Sequence, residues 1–167
     1  MSELYILRHC KSGLGGGIAQ DSDRTLSERG LDDAGRLGRW MKENKYEPAH
    51  ILCSTAVRAK QTAQLVCQQL AFDEADIHYL PDLYLASCAS LLSTIDANRD
   101  KPDPLLIVAH NPGMDELVNY LAHKEVPLTD KGKLMSSGCL ARFRLPDIGQ
   151  ELHHTAELLS ITRPSEL

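Results

Sequence analysis

The chain has 167 residues, 43% of them hydrophobic and 25% charged, which fits one soluble globular domain over 1–167 with a substantial core. Its net charge of −5 excludes bulk electrostatic attraction to nucleic acid or an acidic membrane, while leaving room for a local basic pocket. In chain order, "ELYILR" (3–8) reads as a short buried strand and "SGLGGGIAQDSD" (12–23) as a Gly-rich polar loop. Ser27 then suits the N-cap of a helix over 28–45, with Leu31, Ala34, Leu37 and Met41 on one face. "HILCS" (50–54) is a second strand, followed by a helix over 55–70 striped with Ala59, Ala63, Val66 and Leu70. Residues 76–85 are extended and broken by Pro81, and Ser87 caps a helix with Cys88, Leu91, Leu92 and Ile95 facing inward. "DPLLIVAH" (103–110) is the clearest buried strand. Pro112 suits the first turn of a helix whose apolar face is Met114, Leu117, Val118 and Leu121. Residues 138–145 and 156–162 read as two final strands, a candidate hairpin. Strands alternating with helices argue an α/β layered fold with a largely parallel central sheet.

The five cysteines are odd in number and form no C-x-x-C pair. That argues against a disulfide framework or a zinc knuckle, and for reduced thiols in the cytoplasm. No signal peptide precedes the first strand and no apolar run is long enough to span a bilayer. A cytoplasmic location without membrane attachment is the expectation.

Three strands end in reactive residues. The first ends in Arg8-His9, the second in Cys53-Ser54 shortly before Arg58, and the third in His110-Asn111. Open α/β sheets bind ligands outside the carboxyl ends of their strands. If the three strands are parallel neighbours, two Arg and two His face one small volume. Such a cluster suits a phosphate, whose oxygens accept forked Arg hydrogen bonds. Any one of these residues alone is more often a solvated or hydrogen-bonded strand end; three on one sheet edge point to a site.

"LRHCKSG", "CSTAVRAKQTA" and "VAHNPGMDEL" resemble the three signatures of the histidine phosphatase superfamily, the relatives of phosphoglycerate mutase. Cys10 stands where the first motif, R-H-G, usually has glycine. The second motif, S-x-x-x-R-A-x-Q-T, matches at Ser54, Arg58, Ala59, Gln61 and Thr62, and the third at His110 with Asn111-Pro112. "DRTLSERG" (23–30) resembles the family's D-x-P-L-T-x-x-G segment, with Thr25 in place of Pro. The short chain and "LPDLYLAS" (80–87) are similar to the small bacterial phosphohistidine phosphatase subgroup. The resemblance implies a phosphoglycerate mutase-like fold: a mixed, mainly parallel sheet flanked by helices on both faces.

It also implies roles. His9 would be the nucleophile, passing through phosphohistidine, while Arg8, Arg58 and His110 hold the phosphoryl oxygens. Ser54 would add a hydroxyl to the phosphate pocket or cap the following helix. For attack through one ring nitrogen, the other should donate to a backbone carbonyl, from Gly13 or another residue of the Gly-rich loop. Larger relatives place a Glu acid after the second motif. That position aligns with Leu85, and Asp82 is the nearby carboxylate, a candidate general acid set against the reading of a solvent-facing Asp. An imidazole leaving group depends less on such an acid than an alkoxide does. The expected activity is removal of phosphate from protein phosphohistidine, without metal or cofactor, by a monomer that binds neither nucleic acid nor membrane. A phosphatase of small phosphate esters and a non-catalytic phosphate-binding module are the alternatives.

Other signals are weaker. The cysteine-phosphatase pattern H-C-x5-R would need Arg where Gly16 stands, and Cys53 is one position short of its spacing to Arg58. "GLGGG" lacks the Lys-Ser/Thr of a P-loop. His153 and His154 could touch a metal ion, but adjacent side chains point apart on a strand, so solvent exposure is the better reading. Lys124, Lys131 and Lys133 lie in a stretch (122–134) that reads as a solvated loop, with partner contact as the alternative.

Overall fold

The computed structural model describes residues 2–13 and 20–167. Half of the Gly-rich loop (14–19) lies outside the described residues. Six strands, β1 (Ser2–Arg8), β2 (His50–Ser54), β3 (His78–Leu80), β4 (Leu105–Ala109), β5 (Leu140–Leu145) and β6 (Glu157–Thr162), form one sheet in the order β3-β2-β4-β1-β5-β6. β1 to β4 are mutually parallel, whereas β5 runs antiparallel to β1 and β6 antiparallel to β5. The mixed, mainly parallel sheet and the terminal antiparallel pair therefore agree with the sequence.

Alternation along the strands sorts the core into two layers, because successive side chains leave opposite faces of a sheet. Leu4, Ile6, Leu52, Leu105 and Ile107 pack with α3 (Cys88–Ala97) and α4 (Gly113–Leu121). Tyr5, Leu7, Ile51, Leu106 and Val108 pack with α1 (Glu28–Glu43) and α2 (Val57–Leu70). β4 lies between β2 and β1 and is buried along its whole length, as its unbroken apolar run implies. Met114, Leu117, Val118 and Leu121 are all fully buried.

Two readings need correction. Residues 76–85 are not one extended piece: β3 is short, and Pro81 opens a 3₁₀ turn over Pro81–Leu83. On α1, Leu31 is exposed, while Ala34, Leu37 and Met41 face inward with Gly30, Asp33 and Gly38. The helix begins too close to the backbone for a large inward residue there. Ser27 donates its N–H to the Lys11 carbonyl (2.9 Å) and caps the helix by accepting from the Gly30 N–H (3.1 Å). A Cβ on Gly30 would stand 2.1 Å from the Lys11 oxygen. This contact fixes the chain just after Arg8-His9, so α1 braces the end of β1. Gly30→Ala should therefore cost about 2 kcal/mol, or roughly 4–8 °C in Tm, because the obstacle is backbone and cannot rotate away. An unchanged melting temperature would show that the contact is not a constraint.

Candidate active site

The parallel register pairs Arg8 with Ala109 and Cys53 with Val108. His9 and His110, one residue further on, thus leave neighbouring strands at the same edge, and the His9 N–H donates to the Ala109 carbonyl (3.2 Å). Their rings lie 5.1 Å apart, centroid to centroid. Arg58 enters from the first turn of α2, directly after β2. Arg8, His9, Arg58 and His110 line one cavity of about 440 Å³. Four of the sequence-predicted residues are brought together as the strand-end pattern implies.

His9 is 7% exposed and its Nδ1–H donates to the Cys10 carbonyl at 2.7 Å. The acceptor is the next residue in the chain, not the Gly-rich loop. Burial, reinforced by the charges of Arg58, Arg8 and Arg24, lowers its pKa to about 4 against the raising effect of that carbonyl. The ring is neutral at pH 7, with its Nε2 lone pair free. Burial, with His9 and Arg58 adding to it, lowers His110 to about 3. Cys10 is fully buried among Leu26 and Ala34, and burial pushes its thiol up to about 12. Such a thiol is not a nucleophile at neutral pH.

The supports of these groups are specific. Arg8 Nη1 donates to the Met135 carbonyl (3.0 Å), which also accepts from Asn111 Nδ2 (2.9 Å). Gly138, at φ +76°, sends its N–H to the carbonyls of Arg8 (3.1 Å) and His9 (3.0 Å). Ser54 is fully buried and lies outside the cavity lining, so it is not placed as a phosphate ligand. Its hydroxyl accepts from the Ala56 N–H (3.2 Å) and meets His110 Nε2 at 2.7 Å. The arrangement that satisfies its one O–H has it donating to Nε2, which puts the His110 proton on Nδ1. His110 Nδ1 and Arg8 Nε are buried without a partner among the described residues.

The sequence pattern gives little signal for the acid that is present. Asp82 is exposed, at the start of the 3₁₀ turn, and outside the cavity lining, whereas Leu85 lines the cavity. The lining carboxylate is Asp21. Arg58 donates to its Oδ2 (3.0 Å) and to its backbone oxygen (2.9 Å), Arg24 reaches Oδ1 (3.1 Å), and the Tyr84 hydroxyl donates to Oδ2. The Tyr84 hydrogen bond, with Arg58 and Arg24, holds the Asp21 carboxyl well below the usual range despite some desolvation. Asp21 stays ionised and occupies Arg58. Its only sequence cue is its place two residues before "DRTLSERG".

A larger cavity, about 630 Å³, lies by α3 and the 149–153 turn, lined by Asp96, Glu151 and His153, with no converging cations. His153 and His154 are exposed in a turn, not on a strand, and their rings lie 3.9 Å apart, centroid to centroid, with planes tilted by 38°, rather than diverging. Among the described residues, no group of three or more His, Cys, Asp or Glu side chains is placed to hold a metal ion, and no helix is long and apolar enough to cross a membrane.

Residues 4–84 match the family model of the histidine phosphatase superfamily (branch 1). An uncharacterized protein of Mycobacterium tuberculosis is 37% identical over 118 residues, which cover 70% of each chain. The chain belongs to the histidine phosphatase superfamily. Within that superfamily, the phosphohistidine phosphatase SixA of Escherichia coli is 28% identical over 127 residues, covering 75% of this chain and 77% of the other. A protein histidine phosphatase SixA solved in complex with tungstate has the same fold, with a TM-score of 0.81 at 23% identity over 98% of this chain and 97% of that one. A solved structure from Agrobacterium tumefaciens superposes with a TM-score of 0.84 at 25% identity over 98% of both chains. Arg58 is already bonded to Asp21, so an oxyanion that bound at Arg58 would compete with that carboxylate. Asp21→Asn keeps the shape and removes the competing charge. Since Asp21 is partly exposed and screened, vanadate affinity should rise roughly two- to fivefold. Weaker vanadate binding would mean instead that Asp21 is needed to hold Arg58 in place.

Proposed function

We propose that this chain is a phosphatase that removes the phosphoryl group from protein phosphohistidine, through a covalent phosphohistidine at His9. The observation that carries this reading is the state of His9: a buried, neutral ring whose Nδ1–H is tied to the Cys10 carbonyl, leaving Nε2 as the nucleophile beside Arg8, Arg58 and His110. In the first step Nε2 attacks phosphorus, the His9 N–P bond forms, and the P–N bond to the substrate imidazole breaks. In the second, water attacks phosphorus, the His9 N–P bond breaks, and inorganic phosphate leaves. The proton lost by the water balances the one taken up by the departing imidazole.

The guanidiniums of Arg8 and Arg58 and the N–H of His110, whose Nδ1 has no partner among the described residues, would bind equatorial oxygens as charge spreads over them in the transition state. Those cations and N–H groups supply the positive charge, so the reaction is expected to run without a metal. The single sheet from Ser2 to Thr162 supports one catalytic domain, and the five free thiols suit a reducing cytoplasm.

Three features favour phosphohistidine over an alkyl ester. Leu85 lines the cavity where the larger relatives' acid aligns. Asp21, the carboxylate present, is held ionised and so carries no proton for a poor leaving group; an imidazole needs less help. The kinship with SixA of Escherichia coli, a phosphohistidine phosphatase, points the same way. The test compares kcat/KM, in the presence of EDTA, for a phosphohistidine protein, an aryl phosphate and an alkyl phosphate. The expected order is phosphohistidine, then aryl, then alkyl, with His9→Ala inactive on all three. An alkyl ester turned over better than phosphohistidine would overturn the substrate assignment and favour a small-molecule phosphatase.

A further inference from the structure

We propose that a basic groove beside the catalytic cavity docks an acidic surface of the phosphohistidine-bearing protein; this rests on the activity proposed above and names what its substrate must look like. The groove, about 420 Å³, is bordered by five cations, Lys11, Arg29, Lys131, Lys133 and Arg163. Two carboxylates also line it. Asp33 is 5% exposed and faces Arg29 (3.8 Å) and Arg36 (3.4 Å), and Arg163 faces Glu166 (3.9 Å), so the cations left unpaired among the described residues are Lys11, Lys131 and Lys133, against Asp130 as the open carboxylate of the lining. In a chain of net charge −5 this is a local reversal of sign.

The cations come from four separate parts of the fold: the segment after β1, the start of α1, the 129–133 turn and the C-terminal stretch after β6. That is not the solvated stripe of one helix. The turn carrying Lys131 and Lys133 is closed by its own hydrogen bonds: Thr129 N–H to the Lys133 carbonyl (2.8 Å), Gly132 N–H to the Thr129 carbonyl (2.8 Å), and Lys133 N–H to Thr129 Oγ1 (3.0 Å). The lysines of 122–134 therefore divide: Lys131 and Lys133 are held at the groove, and Lys124 is not among its lining residues. Lys11, Lys131 and Lys133 are exposed and form no ion pair among the described residues.

Position decides the occupant. Lys11 and Ser137 line both the groove and the catalytic cavity, and Lys11 is two residues after His9. An acidic surface lying in the groove would present a neighbouring phosphohistidine directly to His9. The groove (about 420 Å³) and the cavity (about 440 Å³) are together far larger than one phosphate, so the cations beyond Lys11 would meet a macromolecule rather than the phosphoryl group. Among the described residues no aromatic side chain lines the groove, so they offer no stacking platform for nucleic-acid bases. Exposed complementary charge of this kind acts mainly on encounter and is screened by salt.

The experiment uses the double variant Lys131→Glu/Lys133→Glu, whose sites are exposed and outside the catalytic cavity. The probes are a phosphohistidine-carrying phosphotransfer domain of net negative charge and free phosphohistidine, each assayed from low to high salt. For the wild type, kcat/KM on the protein should fall steeply with salt. The variant should lose roughly tenfold in kcat/KM on the protein at low salt, mostly through KM, and show little further salt dependence. Its turnover of free phosphohistidine should equal the wild type's. Equal kcat/KM on the protein for both enzymes, or an equal loss on both substrates, would overturn the docking inference while leaving the activity standing. A wild-type enzyme inactive on both phosphohistidine substrates but active on esters would overturn the activity itself. Selective inhibition of the wild type by an oligonucleotide or by anionic vesicles, with no variant effect on the protein substrate, would assign the groove to another anion and also reject the proposal.

Discussion

The parallel pairing of β1 with β4 is the constraint on which the site depends. It sets Arg8 opposite Ala109, so that the two residues after it in space, His9 and His110, emerge side by side from the buried centre of the sheet. β2 on the other side of β4 brings Ser54 to the back of His110 and starts α2 where Arg58 reaches the same volume. A shift of one residue in that register would send each of these side chains to the opposite face. The apolar layers on both sides of β1 and β4 make such a shift prohibitive, since Leu4 and Ile6 would exchange places with Tyr5 and Leu7.

Bringing two imidazoles and two guanidiniums together carries an electrostatic cost, and the fold manages it in two ways. Burial keeps both imidazoles neutral, His9 near a pKa of about 4 and His110 near about 3. Asp21 offsets the charge of Arg58 with a carboxylate that Tyr84 and Arg24 also hold. The neutral imidazole is the form of His9 that the proposed mechanism requires, so the desolvation that avoids repulsion would also prepare the proposed nucleophile. The same logic keeps Cys10 out of the chemistry: burial that neutralises a histidine also protonates a thiol.

Where local pattern was sufficient, the sequence was legible. The unbroken apolar run of β4, the stripe of α4 and the polar residues closing β1, β2 and β4 are short-range signals, and they located the cavity and four of its residues. Some failures are local, such as the 3₁₀ turn that Pro81 opens and the Cys10 carbonyl that takes the His9 ring proton; the others are long-range. Leu31 fits the helical period but not the close approach of α1 to the Lys11 backbone, which depends on a contact between distant segments. Asp82 is near the cavity in sequence but exposed outside it, whereas Asp21, in a polar loop with no periodicity, is folded onto Arg58. Ser54 sits at the motif position yet acts from behind His110. The shared Met135 carbonyl, which aims Arg8 and Asn111, has no side-chain signature to read.

The central claim is that His9 forms the covalent intermediate through Nε2, because Nδ1 is committed to the Cys10 carbonyl. Quenching turnover in alkali, where phosphohistidine survives, followed by peptide mapping and ³¹P NMR of the labelled enzyme, tests it most directly. The account predicts a single phosphoryl group on His9, bonded at Nε2 and absent from His9→Ala. A phosphoryl group on Nδ1, on Cys10 or on Ser54, or undiminished turnover by His9→Ala, would contradict it.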